Sequence, residues 1–126
     1  MTYATLSKFA AALTAAMLLA PMAALAADAA AGKATFEVNC VSCHGMGGKG
    51  DGPVGAVLQP PPRDFSKADF KFDPDGDGTT GTDADLKGVI SQGAAAFGGS
   101  PLMAPWPTLS DDDVANVIAH IRSLKE

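Results

Sequence analysis

The chain is organised around five consecutive residues, Cys40-Val41-Ser42-Cys43-His44, and these two cysteines are the only ones it has. Residues three apart lie on the same side of a helical turn, so both sulfurs point in one direction. That spacing suits two thioether bonds to the vinyl groups of one haem, and the histidine that follows suits the proximal iron ligand. The pentapeptide therefore predicts one covalently attached haem c per chain.

A redox pair and a half zinc site are the alternative uses of the same two cysteines. A thioredoxin-type redox pair opens a helix after a strand in a βαβ pattern, and no such pattern surrounds this one. A structural zinc site needs four ligands, and the chain has only two cysteines and two histidines to supply them. Haem attachment is the favoured interpretation.

Residues 1–26 have the features of a cleaved secretory signal peptide. Lys8 supplies the positive charge, Phe9 to Ala20 form an apolar run, and Ala24-Leu25-Ala26 is typical of a cleavage site. The apolar run is shorter than the roughly 20 residues that a spanning helix needs. We therefore expect one domain, residues 27–126, with no membrane span after cleavage. Because haem c is attached outside the bacterial cytoplasm, the expected location is the periplasm.

The chain that remains after this cleavage is acidic. Removing Lys8 from the nine lysines and arginines leaves eight, against fourteen aspartates and glutamates, a formal charge of −6. An acidic surface argues against nucleic acid binding, since phosphates repel it. It favours redox donors and acceptors that have a basic docking face.

Helical periodicity indicates three main helices. One runs from Ala29 to Cys40, one ends at Gly93, and the last carries an apolar stripe from Val114 to Leu124. Each begins after a capping side chain, namely Asp28, Thr82 (with Asp85) and Ser110. Loops rich in glycine and proline connect them, and no convincing strand is present. The predicted fold class is all-α, with three to four short helices around one covalently attached haem.

Two residues in the first half of the chain have predicted contacts. Gly32 lies inside the first helix, where glycine costs about 1 kcal/mol relative to alanine, so we expect another element to pass close to it. A frayed first turn is the alternative. Pro53 lies in a glycine-rich loop after His44, and its carbonyl, or that of a neighbour, is a candidate acceptor for the imidazole N–H.

Arg63 follows three consecutive prolines that favour an extended backbone. Its guanidinium is a candidate partner for a haem propionate. A surface ion pair with Asp64 or Asp69 is equally compatible with the sequence.

The segment Asp73 to Gly78 resembles the first half of an EF-hand calcium loop, with Asp73, Asp75 and Asp77 at the ligand positions. Counted from Asp73, position twelve is Ala84 and not the bidentate glutamate that such a loop requires, and no helix pattern precedes the segment. The sequence therefore favours an acidic, solvated turn over a calcium site.

Three residues are candidates for the second axial ligand of the iron. Met46 is two residues past His44 and cannot reach the opposite face of a haem. His120 lies beside the apolar stripe of the last helix, where packing or solvent would claim it. Met103 lies in a loop that glycines and prolines keep out of helix, so it is the predicted ligand. An open site is the remaining alternative, and Trp106 is expected to shield the haem edge from water.

These features together resemble the small soluble class I cytochromes c. The resemblance is carried by Cys40–His44 near the start of the mature chain, by Leu102–Trp106 near its end, and by the closing amphipathic helix. It covers essentially all of residues 27–126. The family usually has an aromatic residue in place of His120, so the packing there is expected to differ.

The resemblance implies that the first and last helices cross closely, with Gly32 and Phe36 against the segment Val117–Ile121. It carries His44 and Met103 over as the two axial ligands, and it implies an electron-transfer protein that is not an enzyme. We expect a monomeric periplasmic one-electron carrier with a low-spin His/Met haem. The alternative is an electron-delivering haem subunit of an oxidase or dehydrogenase complex.

Overall fold

Four α-helices and no strand make up the regular structure of residues 26–126, the part that the computed structural model describes. The helices are α1 (Ala29–Asn39), α2 (Val41–His44), α3 (Asp83–Gln92) and α4 (Asp111–Ser123). Short 3₁₀ helices lie at Gly55–Val57, Phe65–Lys67 and Ala94–Phe97. The all-α prediction is thus confirmed. The predicted signal peptide lies outside the described residues, apart from Ala26.

The three longer helices begin at the predicted capping residues. The Asp28 carboxylate accepts hydrogen bonds from the first free amides of α1. Thr82 with Asp85, and Ser110 with Asp113, form reciprocal capping boxes at the starts of α3 and α4. These side chains satisfy backbone N–H groups that have no partner inside the helix, which is why the helices start where they do.

Helices α1 and α4 cross at Gly32. A Cβ atom on this residue would overlap the backbone carbonyl of Asn116, so only glycine permits the approach. Phe36, one turn further along α1, is buried in the same core cluster as Val117 and Ile121. The predicted close crossing is confirmed, and the alternative of a frayed first turn is wrong because α1 is regular from Ala29 onward.

The buried core joins α1, α3 and α4 to one phenylalanine from the long connection between α2 and α3. Its members are Phe36, Phe65, Leu86, Ile90, Val114, Val117, Ile118 and Ile121. No helix between residues 26 and 126 has both the length and the apolar character that a membrane crossing needs. The core is not completely filled by side chains, because residues of α1, α3 and α4 also line a large cavity.

The glycine-rich loop after His44 wraps the outer side of α2. Cβ atoms on Gly52 and Gly55 would overlap backbone carbonyls of α2, so glycine is required for the loop to lie this close. The loop is tied to the motif by backbone hydrogen bonds from Gly52 N to Cys43 O (3.2 Å) and from Val54 N to Ser42 O (2.9 Å). None of residues 45–57 lines the cavity. The loop therefore packs against α2 outside the cavity and supports it there.

Candidate haem site

An apolar cavity of about 790 Å³ is lined by residues of all four helices, of the connection between α2 and α3, and of the loop between α3 and α4. Its apolar lining includes Phe36, Leu58, Phe65, Phe70, Leu86, Val89, Ile90, Leu102, Trp106, Leu109, Val117 and Ile121. Protein interiors are close-packed, and cavities of this size are typical of ligand and cofactor sites. The volume and lining fit a bulky, flat, largely apolar group such as haem.

The Cys-x-x-Cys-His motif stands on the wall of this cavity. Cys40, Cys43 and His44 all line it, and both thiols are half-buried and form no disulfide. The amides of Cys43 and His44 donate to the carbonyl of Cys40 at 3.2 and 2.9 Å. The motif is therefore the single tight turn that its spacing predicts, and both of its cysteines border the cavity.

The Cys40 thiol is poorly suited to the alternative chemistries. Burial raises the pKa of the Cys40 thiol to about 11, and the neighbouring Cys43 sulfur adds to the shift. Redox pairs and zinc sites both use the thiolate, which this environment disfavours. Within residues 26–126, no cluster of three metal-ligating side chains includes either cysteine. The geometry thus supports thioether attachment.

The His44 ring is held by two aromatic rings and one backbone carbonyl. Its ring stacks on that of Phe65, with centroids 4.5 Å apart and an angle of 18° between the planes. Phe36 approaches from another side at 6.4 Å. The Nδ1 atom lies 3.4 Å from the carbonyl oxygen of Arg63. A carbonyl can only accept, so this contact favours the tautomer with a proton on Nδ1 and leaves Nε2 as the metal-binding nitrogen.

Burial lowers the pKa of His44, and the hydrogen bond to the Arg63 carbonyl opposes the shift only in part. The imidazole is therefore kept in the neutral form that binds iron. Position, tautomer and charge are thus all compatible with the proximal-ligand role predicted for His44, which stays a prediction.

The acceptor for the His44 ring is the carbonyl of Arg63 and not that of Pro53, which corrects the prediction. Pro53 is exposed and does not line the cavity, because its loop packs behind α2. The proline segment before Arg63 instead runs along the cavity wall and brings the carbonyl of residue 63 to the ring. The sequence held a signal for this, since prolines at 60–62 enforce an extended path.

Arg63 is itself one of the residues that line the cavity. Among residues 26–126 it forms no ion pair, because Asp64 pairs with Lys67 at 3.5 Å and Asp69 with Lys71 at 2.8 Å. The surface pairs that the sequence allowed for Arg63 are therefore not formed. Its guanidinium remains available for a carboxylate in the cavity, and pairing with a haem propionate stays a prediction.

Met103 and Trp106 both line the same cavity as His44. The loop that carries them is tied to the end of α3: Met103 O accepts from Ala94 N at 3.1 Å, and Trp106 N donates to Ile90 O at 2.9 Å. Gly93 lies beneath this loop with a φ of +80°, and a Cβ there would be 2.9 Å from the carbonyl oxygen of Met103. The sequence reasoning did not single out this role of Gly93, although a glycine directly after a helix was its visible signal.

Neither of the other two candidates for the second ligand reaches the cavity. The Met46 side chain is 60% exposed, on the loop behind α2. The His120 ring is buried against Phe36, with centroids 5.0 Å apart and the rings edge to face. Neither residue lines the cavity. Among the three candidates, the structure brings only Met103 together with His44.

The fold and the site define a protein that carries a covalently bound haem on an all-α frame. The family model described as Cytochrome c matches residues 29–125. The chain is similar to cytochrome c-554(547) of Halothiobacillus neapolitanus, with 36% identity over 103 residues that cover 79% of this chain and 100% of that protein. The chain belongs to the cytochrome c family. It is an electron-transfer protein with one haem c bound through Cys40 and Cys43.

A solved structure has the same fold. It is a chain of the reducing HAO-like protein complex of Kuenenia stuttgartiensis, with a TM-score of 0.62 and 32% identity over 75% of the present chain. The match covers 41% of that chain, so the present protein corresponds to less than half of its length. When bound, the haem iron supplies a one-electron couple between its ferric and ferrous states.

Proposed function

We propose that this protein is a periplasmic one-electron carrier in which His44 and Met103 bind the two axial positions of one low-spin haem iron. The observation that carries the proposal is that both residues line one apolar cavity, although they lie about sixty residues apart in the chain. The predicted signal peptide and the covalent haem motif support the location.

This pair of ligands suits electron transfer. A thioether is a soft ligand that matches ferrous iron better than ferric iron, so His/Met ligation raises the reduction potential. Two protein ligands also leave no position for oxygen or peroxide. The half-buried Trp106 beside the cavity limits the access of water, which further favours the less charged ferrous state.

An electronic spectrum of the purified holoprotein in both oxidation states, with and without carbon monoxide, tests the proposal. We expect low-spin spectra in both states and no change of the ferrous spectrum on addition of carbon monoxide, because Met103 occupies the position that the gas needs. Ready binding of carbon monoxide to the ferrous protein would mean an open site, and would overturn the His/Met assignment.

A second candidate function is that of an electron-delivering subunit in a larger enzyme complex. It is favoured by the similarity to a chain of the HAO-like complex. Size-exclusion chromatography of native extract separates the two. A free carrier elutes as a small monomer that contains the haem absorbance, whereas a subunit elutes together with its enzyme.

The acidic surface gives an expectation for the partner. The chain after residue 26 carries a formal charge of −6, before haem propionates are counted. We propose that the partner docks through a basic face, so its second-order rate of electron exchange should fall as ionic strength rises. A rate that is flat or rising between low and moderate salt would exclude recruitment by charge.

A further inference from the structure

Three carboxylates come together at the start of α3, at the edge of the haem cavity. Asp73 and Asp75 belong to the acidic turn, and Asp85 belongs to the first turn of the helix. One oxygen from each lies within 4.8 Å of the other two. The EF-hand count from the sequence placed Ala84 at position twelve. In the structure, the carboxylate that joins the turn belongs to the next residue, Asp85.

Asp85 has an unpartnered oxygen in a buried position. Its side chain is 1% exposed. The Oδ2 atom accepts hydrogen bonds from the amide and the hydroxyl of Thr82, each at 2.8 Å. The Oδ1 atom is inaccessible to solvent and has no donor among residues 26–126. A buried carboxylate oxygen without a donor is costly, so it calls for a partner that the polypeptide does not supply.

The other two carboxylates are held in place by the backbone of the turn. The two oxygens of Asp73 accept amide hydrogen bonds from Gly76, Asp77 and Gly78 at 2.8 to 3.1 Å. The Oδ1 atom of Asp75 accepts one from Asp77 at 3.2 Å. A carboxylate has about four acceptor positions. Both side chains are therefore oriented and still have acceptor positions free.

No positive side chain neutralises the cluster. Within the described part of the chain, Asp73, Asp75 and Asp85 form no ion pair with lysine or arginine, and Lys87, which borders the same surface groove as Asp75, pairs with Asp111 at 3.0 Å. The three charges thus repel one another at short range.

We propose that Asp73, Asp75 and Asp85 form a binding site for one calcium ion. The ligands are all hard oxygens, which excludes a preference for soft transition metals. Three carboxylates on a turn and a helix suit calcium, which accepts six to eight oxygens in flexible geometry with water completing the shell. Magnesium usually keeps several waters and takes only one or two carboxylates. The ion joins the acidic turn to α3, whose residue Asp85 also lines the haem cavity.

Isothermal titration of the holoprotein with calcium chloride tests the site, after treatment with a chelator and its removal, at constant ionic strength. We expect saturation at one ion per chain with a Kd at or below about 1 mM, the range of extracellular calcium modules. Magnesium should bind at least about tenfold more weakly. The thermal midpoint of the same sample should rise with calcium concentration, because the ion binds only the folded chain.

Asp75→Asn is the variant of choice, because residue 75 is exposed and takes no part in a helix cap. It should weaken calcium binding by about tenfold or more, since it removes one of the three charges that attract the ion. Asp112→Asn is the matched control, because it removes the same charge from an exposed residue at the start of α4. Its calcium affinity should equal that of the wild type.

Three results would overturn the proposal: titration heats that do not saturate, unchanged affinity in Asp75→Asn, or an equal loss of affinity in Asp75→Asn and Asp112→Asn. The last would indicate diffuse attraction by the acidic surface. The calcium stoichiometry and affinities do not depend on which residue is the second axial ligand of the iron.

Discussion

The His44 side and the Met103 side of the haem cavity are built in different ways. On the first side, the proposed ligand His44 follows the two haem-binding cysteines within one helical turn, and its ring stacks on buried Phe65. On the second side, the ligand candidate is half-buried, its neighbour Leu102 is 60% exposed, and its own carbonyl accepts one backbone hydrogen bond, from Ala94. One side is specified by consecutive residues, and the other by the docking of a loop on the end of α3.

This difference predicts which side of the haem cavity opens first. Segments with few buried contacts open at lower free energy than the core of a protein. The Met103 loop should therefore detach from the cavity before α1 and α4 separate, and His44 should stay in place when it does. Substitutions on the Met103 side should change the iron's spectrum and potential with little change of fold.

Met103→Ala should have the largest effect on the iron. If Met103 is the axial ligand, the variant has a vacant or water-filled position, so we expect a change of ferric spin state, binding of carbon monoxide, and a substantially lower reduction potential. If Met103 only fills space, the loss is one of packing, about 2 to 5 kcal/mol of unfolding free energy, with spectrum and potential nearly unchanged. Electronic spectra and potentiometric titration distinguish the two.

Met46→Ala is the matched control for this experiment. It removes the same side chain from an exposed position behind α2 and outside the cavity. Its spectrum, potential and stability should equal those of the wild type. An unchanged ferric spectrum and potential in Met103→Ala would remove the His/Met assignment.

Gly93→Ala should have an intermediate effect on the iron, because it disturbs the loop without removing Met103, the proposed ligand. The φ of +80° with a ψ of 155° at this residue is a conformation that essentially only glycine adopts. The added methyl group would also lie 2.9 Å from Met103 O and 3.0 Å from Pro105. We expect a mixture of six- and five-coordinate haem, seen as partial binding of carbon monoxide.

Gly98→Ala is the control that separates the strain of a positive φ from the contact with the Met103 loop. Gly98 also has a positive φ, +81°, but nothing lies within 4 Å of its Cβ position. It should cost about 1 kcal/mol of stability through left-handed strain and leave the haem fully low-spin. Equal carbon monoxide binding in the two variants would show that the contact of Gly93 with the Met103 loop does not hold the ligand.

The same contrast explains what the sequence could predict. The caps Asp28, Thr82 and Ser110 were predictable because a capping side chain acts within three residues of its own position. Gly32 was predictable because glycine inside a helix is unfavourable without a compensating close contact. These are local arguments, and the structure confirms them.

The residues that sequence reasoning missed act across long separations. The Arg63 carbonyl reaches His44 across nineteen positions, along a path that the packing of the intervening loop determines. The contact of Gly93 with Met103 depends on how the loop returns to α3. Asp85 joins Asp73 and Asp75 only because the acidic turn folds back on the start of its helix. No spacing rule predicts such encounters.

His120→Phe should have the smallest effect on the iron, because His120 lies at the crossing of α1 and α4 and outside the cavity. The family resemblance implies an aromatic residue at this position. We therefore expect the low-spin spectrum and the potential of the wild type in this variant. Loss of the low-spin spectrum would contradict a purely structural role for His120.

The stability of this variant should differ from that of the wild type in its dependence on pH. Burial lowers the pKa of His120, the Lys33 ammonium lowers it further, and Glu37 opposes the shift. Below the ordinary pKa of 6.5, His120 is protonated in the unfolded chain but remains neutral in the folded chain until the pH reaches its lower folded-state pKa. Proton uptake therefore favours unfolding. The wild type should lose stability as pH falls through 6.5 toward the lower pKa of the folded state.

Phenylalanine cannot titrate, so urea unfolding of the two holoproteins should show a stability advantage of His120→Phe that grows as pH falls across this window. An advantage independent of pH would mean that His120 keeps its ordinary pKa at the crossing.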